Sequence, residues 1–319
     1  MKTASSLPVG RAASRRGGTA RQTWNKILKF KHIYLILLPT LLYFLIFCYG
    51  PMFGAVIAFQ KFSITKGIFG SAFVGLANFR DFLSNYKFWQ LLRNTISINV
   101  LGLIFGFPAP IIFALLLNEL RSQRFKKTIQ TIVYMPHFIS VVVVCSMVLT
   151  FVASDGFINT IWKVMGGETV PFMTQPKYFW GIYVISDIWQ GLGWNSIIYM
   201  AALAAVNVQL YEAATIDGAG RWKQMIHVTL PGIAPTIMIL LIMRIGQMLS
   251  IGYEKIMLLY NPSIYETADV ISTYVYRRGL LDNDYSYSAA VGLFNSVINF
   301  MLLLSANFVS KRATGNGLW

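Results

Sequence analysis

The side chains able to do covalent or metal chemistry are few and scattered. His32, His137 and His227 lie far apart and form no H-x-x-x-H pair, the spacing that puts two imidazoles on one helix face to hold zinc. No G-x-S-x-G elbow raises a serine nucleophile, and no G-x-x-x-x-G-K-[ST] loop cradles a phosphate, which excludes nucleotide binding of that kind. Two cysteines are too few for a disulfide scaffold or a Cys-based zinc site. Both Cys48 and Cys145 fall in apolar runs, where a thiol behaves as a small hydrophobe. Asp282-Asn283-Asp284 contains the D-x-D of some metal-dependent transferases, but reads as a solvated turn. What remains is non-covalent: a patterned polar loop at 212–231, and two ionisable side chains, Asp187 and Arg244, inside runs otherwise fit for lipid. Charges there are costly and mark function by default. The chain reads as a non-enzyme.

The elements that carry these residues follow from composition. Of 319 residues, 55% are hydrophobic and 12% charged, against about a quarter charged in soluble domains. That excludes an ordinary soluble domain, and disorder with it. Crossing a hydrocarbon core of about 30 Å takes about 20 mainly apolar residues. Six stretches qualify: 33–59, 94–117, 129–152, 178–206, 233–251 and 289–309. The sequence therefore predicts an all-α membrane protein of six transmembrane helices. Pro39, Pro51, Pro108, Pro110, Pro136 and Pro235 fall inside the stretches and predict kinks that a bundle can re-satisfy. The first run is too long for a signal core and has no small-residue cleavage site, so it reads as an uncleaved span.

Charge orients the bundle. Tail 1–31 carries Lys2, Arg11, Arg15, Arg16, Arg21, Lys26, Lys29 and Lys31 and no acid. With loops 118–128 and 207–232 and the C-terminus, that side holds 16 basic and 3 acidic residues, against 10 and 8 opposite. Basic residues stay inside, so both termini are expected in the cytoplasm. The Arg/Ser/Gly-rich start suits anionic lipid rather than nucleic acid. The organisation expected is a basic cytoplasmic tail (1–31), a first span with its outer loop (32–88), a core of five spans (89–310) containing the cytoplasmic loop 207–232, and a C-terminal tail (311–319).

That loop is the most informative segment. Glu212, Ala213, Ala214, Thr215 and Ile216 suit a short helix, and Asp217-Gly218 is a turn signal in which glycine supplies φ > 0. Residues 219–229 suit a second short helix with Trp222, Met225, Ile226 and Thr229 on one side. Pro231, after Leu230, is expected to close that helix before the next span. The result is a compact helix–turn–helix hanging between two spans, a rigid peg.

The pattern E-A-A-x-x-x-G-x9-I-x-L-P, met here except for Val228 at the isoleucine position, resembles the hallmark of ABC importer permeases. The chain after residue 30 is similar to the maltose-type, binding-protein-dependent branch, and within it to permeases for complex polysaccharides and alginate-type oligosaccharides. Supporting stretches are 74–79 (VGLANF), 134–140 (YMPHFIS), 193–199 (GWNSIIY), 260–270 (YNPSIYETADV) and the terminal Leu318-Trp319.

The resemblance implies a type I importer permease fold in a bacterial cytoplasmic membrane. It also implies a second homologous permease, two cytoplasmic ATPases that bind ATP and Mg, and an extracytoplasmic solute-binding protein that meets 60–93 and 252–288. No cofactor is expected on this chain itself. The loop then couples to the ATPase. Glu212 pairs or caps, with Ala213 and Ala214 beside it. Asp217 and Gly218 turn the chain, Trp222 and Met225 fill the partner's cleft, and Arg221 and Lys223 sit at its rim. A sugar path needs amides and hydroxyls interleaved with aromatics. The fourth span offers Asp187, Trp189, Gln190, Trp194, Asn195 and Tyr199; the fifth offers Arg244 and Gln247; the sixth offers Asn295 and Asn299. Arg244 suits a carboxylated sugar, since guanidinium matches carboxylate bidentately. The alternative for Asp187 is a structural pair with Arg244, and for the amides, helix–helix bonding. Uronate and neutral oligosaccharides both fit this pattern. The competing classes are an ion-driven secondary transporter, for which no inverted repeat is seen, and a membrane-embedded transferase, for which no site is seen.

Overall fold

The apolar runs set the architecture, because a backbone in lipid must satisfy its polar groups within its own helix. The computed structural model describes residues 29–315 and 317–319; nearly all of the basic tail lies outside them. Among the described residues, five helices are long and apolar enough to span: Lys31–Phe59, Phe88–Asn118, Val141–Val164, Arg221–Ile245 and Tyr285–Thr314. The pair Pro176–Ala204 and Val208–Ile216, bent by 67°, supplies a sixth.

The N-terminal unit ends at Ala55. Its helix carries Pro39 inside a regular stretch and widens to a π-turn over Phe44–Tyr49, just before Pro51. Nothing from Lys31 to Met52 is buried. A helix that apolar with no covered face is built for lipid or for another subunit.

The second unit, Val56–Trp319, begins with an antiparallel pair, Gln60–Lys61 against Ala72–Phe73. Asn78 fixes it, donating through Nδ2 to the carbonyls of Ala58 (2.8 Å) and Gln60 (3.0 Å). Gly75, at φ 59°, makes the turn that brings Asn78 there. The stretch 74–79 is thus a loop clasp.

The third span differs from the expected 129–152. That stretch is divided between an amphipathic helix Gln123–Tyr134 and a helix Val141–Val152, separated by a 3₁₀ turn Met135–Phe138. Pro136 lacks the N–H a continuous helix needs, and Ser140 starts the new helix by accepting from Val143 N. Helix Phe179–Ala204 matches the expected fourth span closely. The sixth runs on to Thr314, into the segment read as a tail, before Gly315 ends it at φ 73°. Beyond it Leu318 N donates to Asn307 Oδ1 at 2.7 Å.

Buried side chains gather in three groups. One joins Ala114, Tyr199, Leu203 and Ile233 from the second, fourth and fifth spans. Another joins Ile98, Phe179, Tyr183 and Val184 to Ile256, Leu259 and Val270. In the last, Phe82, Phe88, Leu91, Tyr287 and Val291 pack with Ile271 and Tyr274. The long loop 252–288 is therefore packed rather than solvated. Its carbonyls are pinned by the second span, where Asn94 Nδ2 reaches Glu266 O (2.9 Å) and Asp269 O (2.8 Å). Trp180 Nε1 adds a bond to Thr267 O at 2.8 Å. Asp269, buried at 2% exposure, pairs with Arg277. Burial pulls the Arg277 pKa down, but the hydrogen bond and charge of Asp269 and the Tyr260 hydroxyl outweigh it and hold the pKa above its usual value.

Candidate functional site: a docking loop and a charged cavity

The patterned loop is self-contained. Asn207 starts its first helix, Val208–Ile216, by accepting from Gln209 N at 2.9 Å. The helix ends on Gly218 at φ 73°, with Gly218 N bonded to Thr215 O (3.0 Å) and Ala219 N to Ala214 O (2.8 Å). This crossed pair is the Schellman arrangement, which wants glycine at the left-handed residue. A Cβ on Gly218 would meet nothing within 4 Å, so backbone conformation, not space, requires it. Gln224 Nε2 bridges to Thr215 Oγ1 (3.0 Å) and Ala219 O (2.9 Å), and the Tyr211 and Thr229 hydroxyls close the base at 2.9 Å.

Pro231 does not close the second helix. Residues Arg221–Gln224, a π-turn Met225–Thr229 and Leu230–Ile245 form one continuous helix. The π-turn takes up one extra residue just where the proline ring would strike the preceding turn. The second limb of the loop and the fifth span are therefore a single rod.

Glu212, Ala213, Asp217, Gly218, Arg221 and Pro231 are exposed, while Ala214, Met225 and Leu230 are half-buried. Glu212 lies mid-helix, so it caps nothing. Trp222 is 71% exposed and Ile216 87% exposed at the tip. A loop rigid in its own hydrogen bonds that shows apolar groups at its end has the anatomy of a docking surface.

A cavity of about 480 Å³ lies among the second, fourth and fifth spans, and a second of about 200 Å³ shares Gly102, Gly106, Asp187, Ile188 and Arg244 with it. Of the expected path residues, Asp187, Trp194, Asn195, Tyr199, Arg244 and Gln247 line the larger one. The fourth-span members recur at helical spacing on one face. Trp189 falls about 200° round the helix from Asp187 and is not in the lining. Gln190 is outside the lining as well, its Nε2 donating to Ile139 O at 3.5 Å. Asn299 accepts from Leu249 N and donates to Ser250 Oγ, both at 2.9 Å; it secures the chain leaving the fifth span. Asn295 is outside the lining too, its Oδ1 buried with no hydrogen-bond partner among the described residues.

Asp187 pairs with Lys255 Nζ at 3.2 Å, not with Arg244. Lys255 is 7% exposed, although its position in the loop after the fifth span makes it read as an outer-surface charge. Arg244 has no ion pair among the described residues; its Nη2 sits where a Cβ on Gly102 would come within 3.0 Å. His137, from the 3₁₀ break, stacks on Trp194 with centroids 4.4 Å apart and planes at 4°. Its place in the 134–140 stretch was the only sequence signal for that contact.

Protein LplB of Bacillus subtilis (strain 168) is 45% identical over 299 residues, covering 93% of this chain and 94% of that protein. The polygalacturonan/rhamnogalacturonan transport system permease protein YteP of the same organism is 44% identical over 295 residues, covering 92% of each. A chain in the crystal structure of a bacterial alginate ABC transporter, in complex with alginate pentasaccharide-bound periplasmic protein, superposes with TM-score 0.85 at 43% identity, over 92% of this chain and 99% of that one. The family model for binding-protein-dependent transport system inner membrane components matches residues 106–315, which take in both the loop and the cavity-lining fourth and fifth spans. The chain belongs to that family, with the type I permease fold, and is a membrane-embedded permease subunit of an ABC importer.

Proposed function

We propose that this subunit forms part of the translocation path for oligosaccharides of acidic, uronate-containing polysaccharides, driven by ATP hydrolysis in separate subunits. The observation that carries the proposal is Arg244. It lines a cavity of about 480 Å³, within the range of small-ligand sites, about 300–1,000 Å³, and among the described residues no carboxylate pairs with it. A guanidinium left open beside Trp194, Asn195 and Tyr199 matches a sugar carboxylate and its ring. The relatives support the substrate class: one is named for polygalacturonan and rhamnogalacturonan transport, and another comes from an alginate transporter.

The charge asymmetry supports a cytoplasmic position for loop 207–232 and both termini, in a bacterial cytoplasmic membrane. There the loop meets an ATPase that holds ATP and Mg, with Trp222 and Ile216 entering its cleft, Arg221 and Lys223 at the rim and Glu212 free to pair. A second permease completes the path, and a solute-binding protein docks on the opposite face.

The test is uptake by the assembled transporter in sealed vesicles, with its solute-binding protein, using a uronate tetrasaccharide and its carboxyl-reduced counterpart. ATP-dependent uptake favouring the uronate is expected. Equal uptake of the two forms removes the acidic-sugar reading, and uptake driven by an ion gradient without ATP removes the importer reading.

A further inference from the structure

Lys255 is an ammonium with 7% exposure in the helix Tyr253–Leu259, just past the fifth span. Its Nζ lies 3.2 Å from Asp187 Oδ1 and 5.0 Å from the centre of the Tyr183 ring. A buried cation needs a counter-ion, and Asp187 provides it from a side chain that is itself 61% exposed and lines both cavities. Arg244 lines the same two cavities. Opposite charges sharing a partly dehydrated space attract strongly, so a carboxylate there without Lys255 has Arg244 as the cation to turn to. The three charges sum to one positive, and the Asp187–Lys255 pair confines that excess to the guanidinium.

We propose that Lys255 is a specificity-determining positioning residue: by holding Asp187 it keeps that carboxylate off Arg244, and so leaves the guanidinium open to the carboxylate of a sugar. Lys255 touches no substrate in this arrangement; it acts through Asp187. The cavity's preference is then set by a residue outside its lining.

This rests on the acidic-sugar reading, and the experiment separates the two. The assembled transporter is compared as wild type, Lys255→Met, Lys255→Arg and the double variant Lys255→Met with Asp187→Asn, using the same uronate tetrasaccharide and its carboxyl-reduced form. Lys255→Met leaves only the well-exposed Asp187 unpaired, so assembly is retained. Uronate uptake falls by about tenfold or more, the loss of a charge-assisted contact, while uptake of the reduced form holds. Lys255→Arg retains uronate uptake, and removing the Asp187 charge in the double variant restores it. A double variant that assembles yet stays as poor as Lys255→Met overturns the proposal. So does an equal loss of both sugars, or no loss at all, in Lys255→Met. If Lys255→Met does not assemble, the double variant is read directly, and poor uronate uptake by that assembled variant overturns the proposal. A wild-type transporter indifferent to the carboxylate sinks the acidic-sugar reading itself.

Discussion

The loop at 207–232 and the cavity among the second, fourth and fifth spans are built in opposite ways. The loop draws its order from neighbours in sequence. Its Schellman turn, the Gln224 bridge and the Tyr211–Thr229 contact all fall within some twenty residues. The cavity draws on segments far apart: Gly102, Asp187, Arg244 and, through Asp187, Lys255. A part that must present one fixed shape to a partner is stiffest when it folds on itself. A part that must change between two states is better made of separable pieces, whose balance a ligand can tip.

Substitutions can break that contrast. Gly218→Val should have the largest effect, because a β-branched residue at φ 73° is a steric outlier costing about 1–3 kcal/mol in the element proposed to carry coupling. Transport by the assembled importer should drop to background while the protein stays in the membrane; normal uptake would remove the loop from the coupling route. Arg244→Gln should cut uronate uptake by about 10- to 100-fold, the worth of a charged hydrogen bond of about 1.5–3 kcal/mol, and spare a carboxyl-reduced sugar. Trp222→Ala, which deletes an exposed aromatic anchor of the kind that dominates interfaces, should weaken co-purification of the ATPase by about tenfold. The smallest effect on the loop is expected of Gly193→Ala, where a Cβ would lie 2.4 Å from Val133 O at a helix crossing. It should lower thermal stability of the detergent-solubilised protein by about 1–3 kcal/mol and leave the loop's docking intact.

The same contrast decided what the sequence disclosed. The loop was legible because its requirements are local: a glycine for one left-handed residue, two small alanines, a spaced proline. Even so, the continuity of the helix through Pro231 was not, since a π-turn leaves no mark in residue types. Helix Phe179–Ala204 was legible from hydropathy, and Asp187, Trp194, Asn195 and Tyr199 from residue type; the folded helix is what puts those four on one face. Trp189 shared their chemistry but not their face. Asn295 and Asn299 were drawn in by residue type alone, and Asn299 proved to hold the end of the fifth span. Lys255 was missed because hydropathy places it outside a span, whereas burial is a property of the folded loop above it. The third span was misplaced because Pro136 and Ser140 break a run that composition shows as continuous.

The rod from Arg221 to Ile245 carries Trp222 near one end and Arg244 near the other. At 1.5 Å per residue the two are about 33 Å apart, with no hinge of loop between them and a single widened turn along the way. A pivot of about 5° at the tryptophan end therefore sweeps the guanidinium through about 3 Å, the reach of one hydrogen bond. On the proposed roles of Arg244 and Trp222, grip on cargo and grip on the motor are two handles of one crowbar.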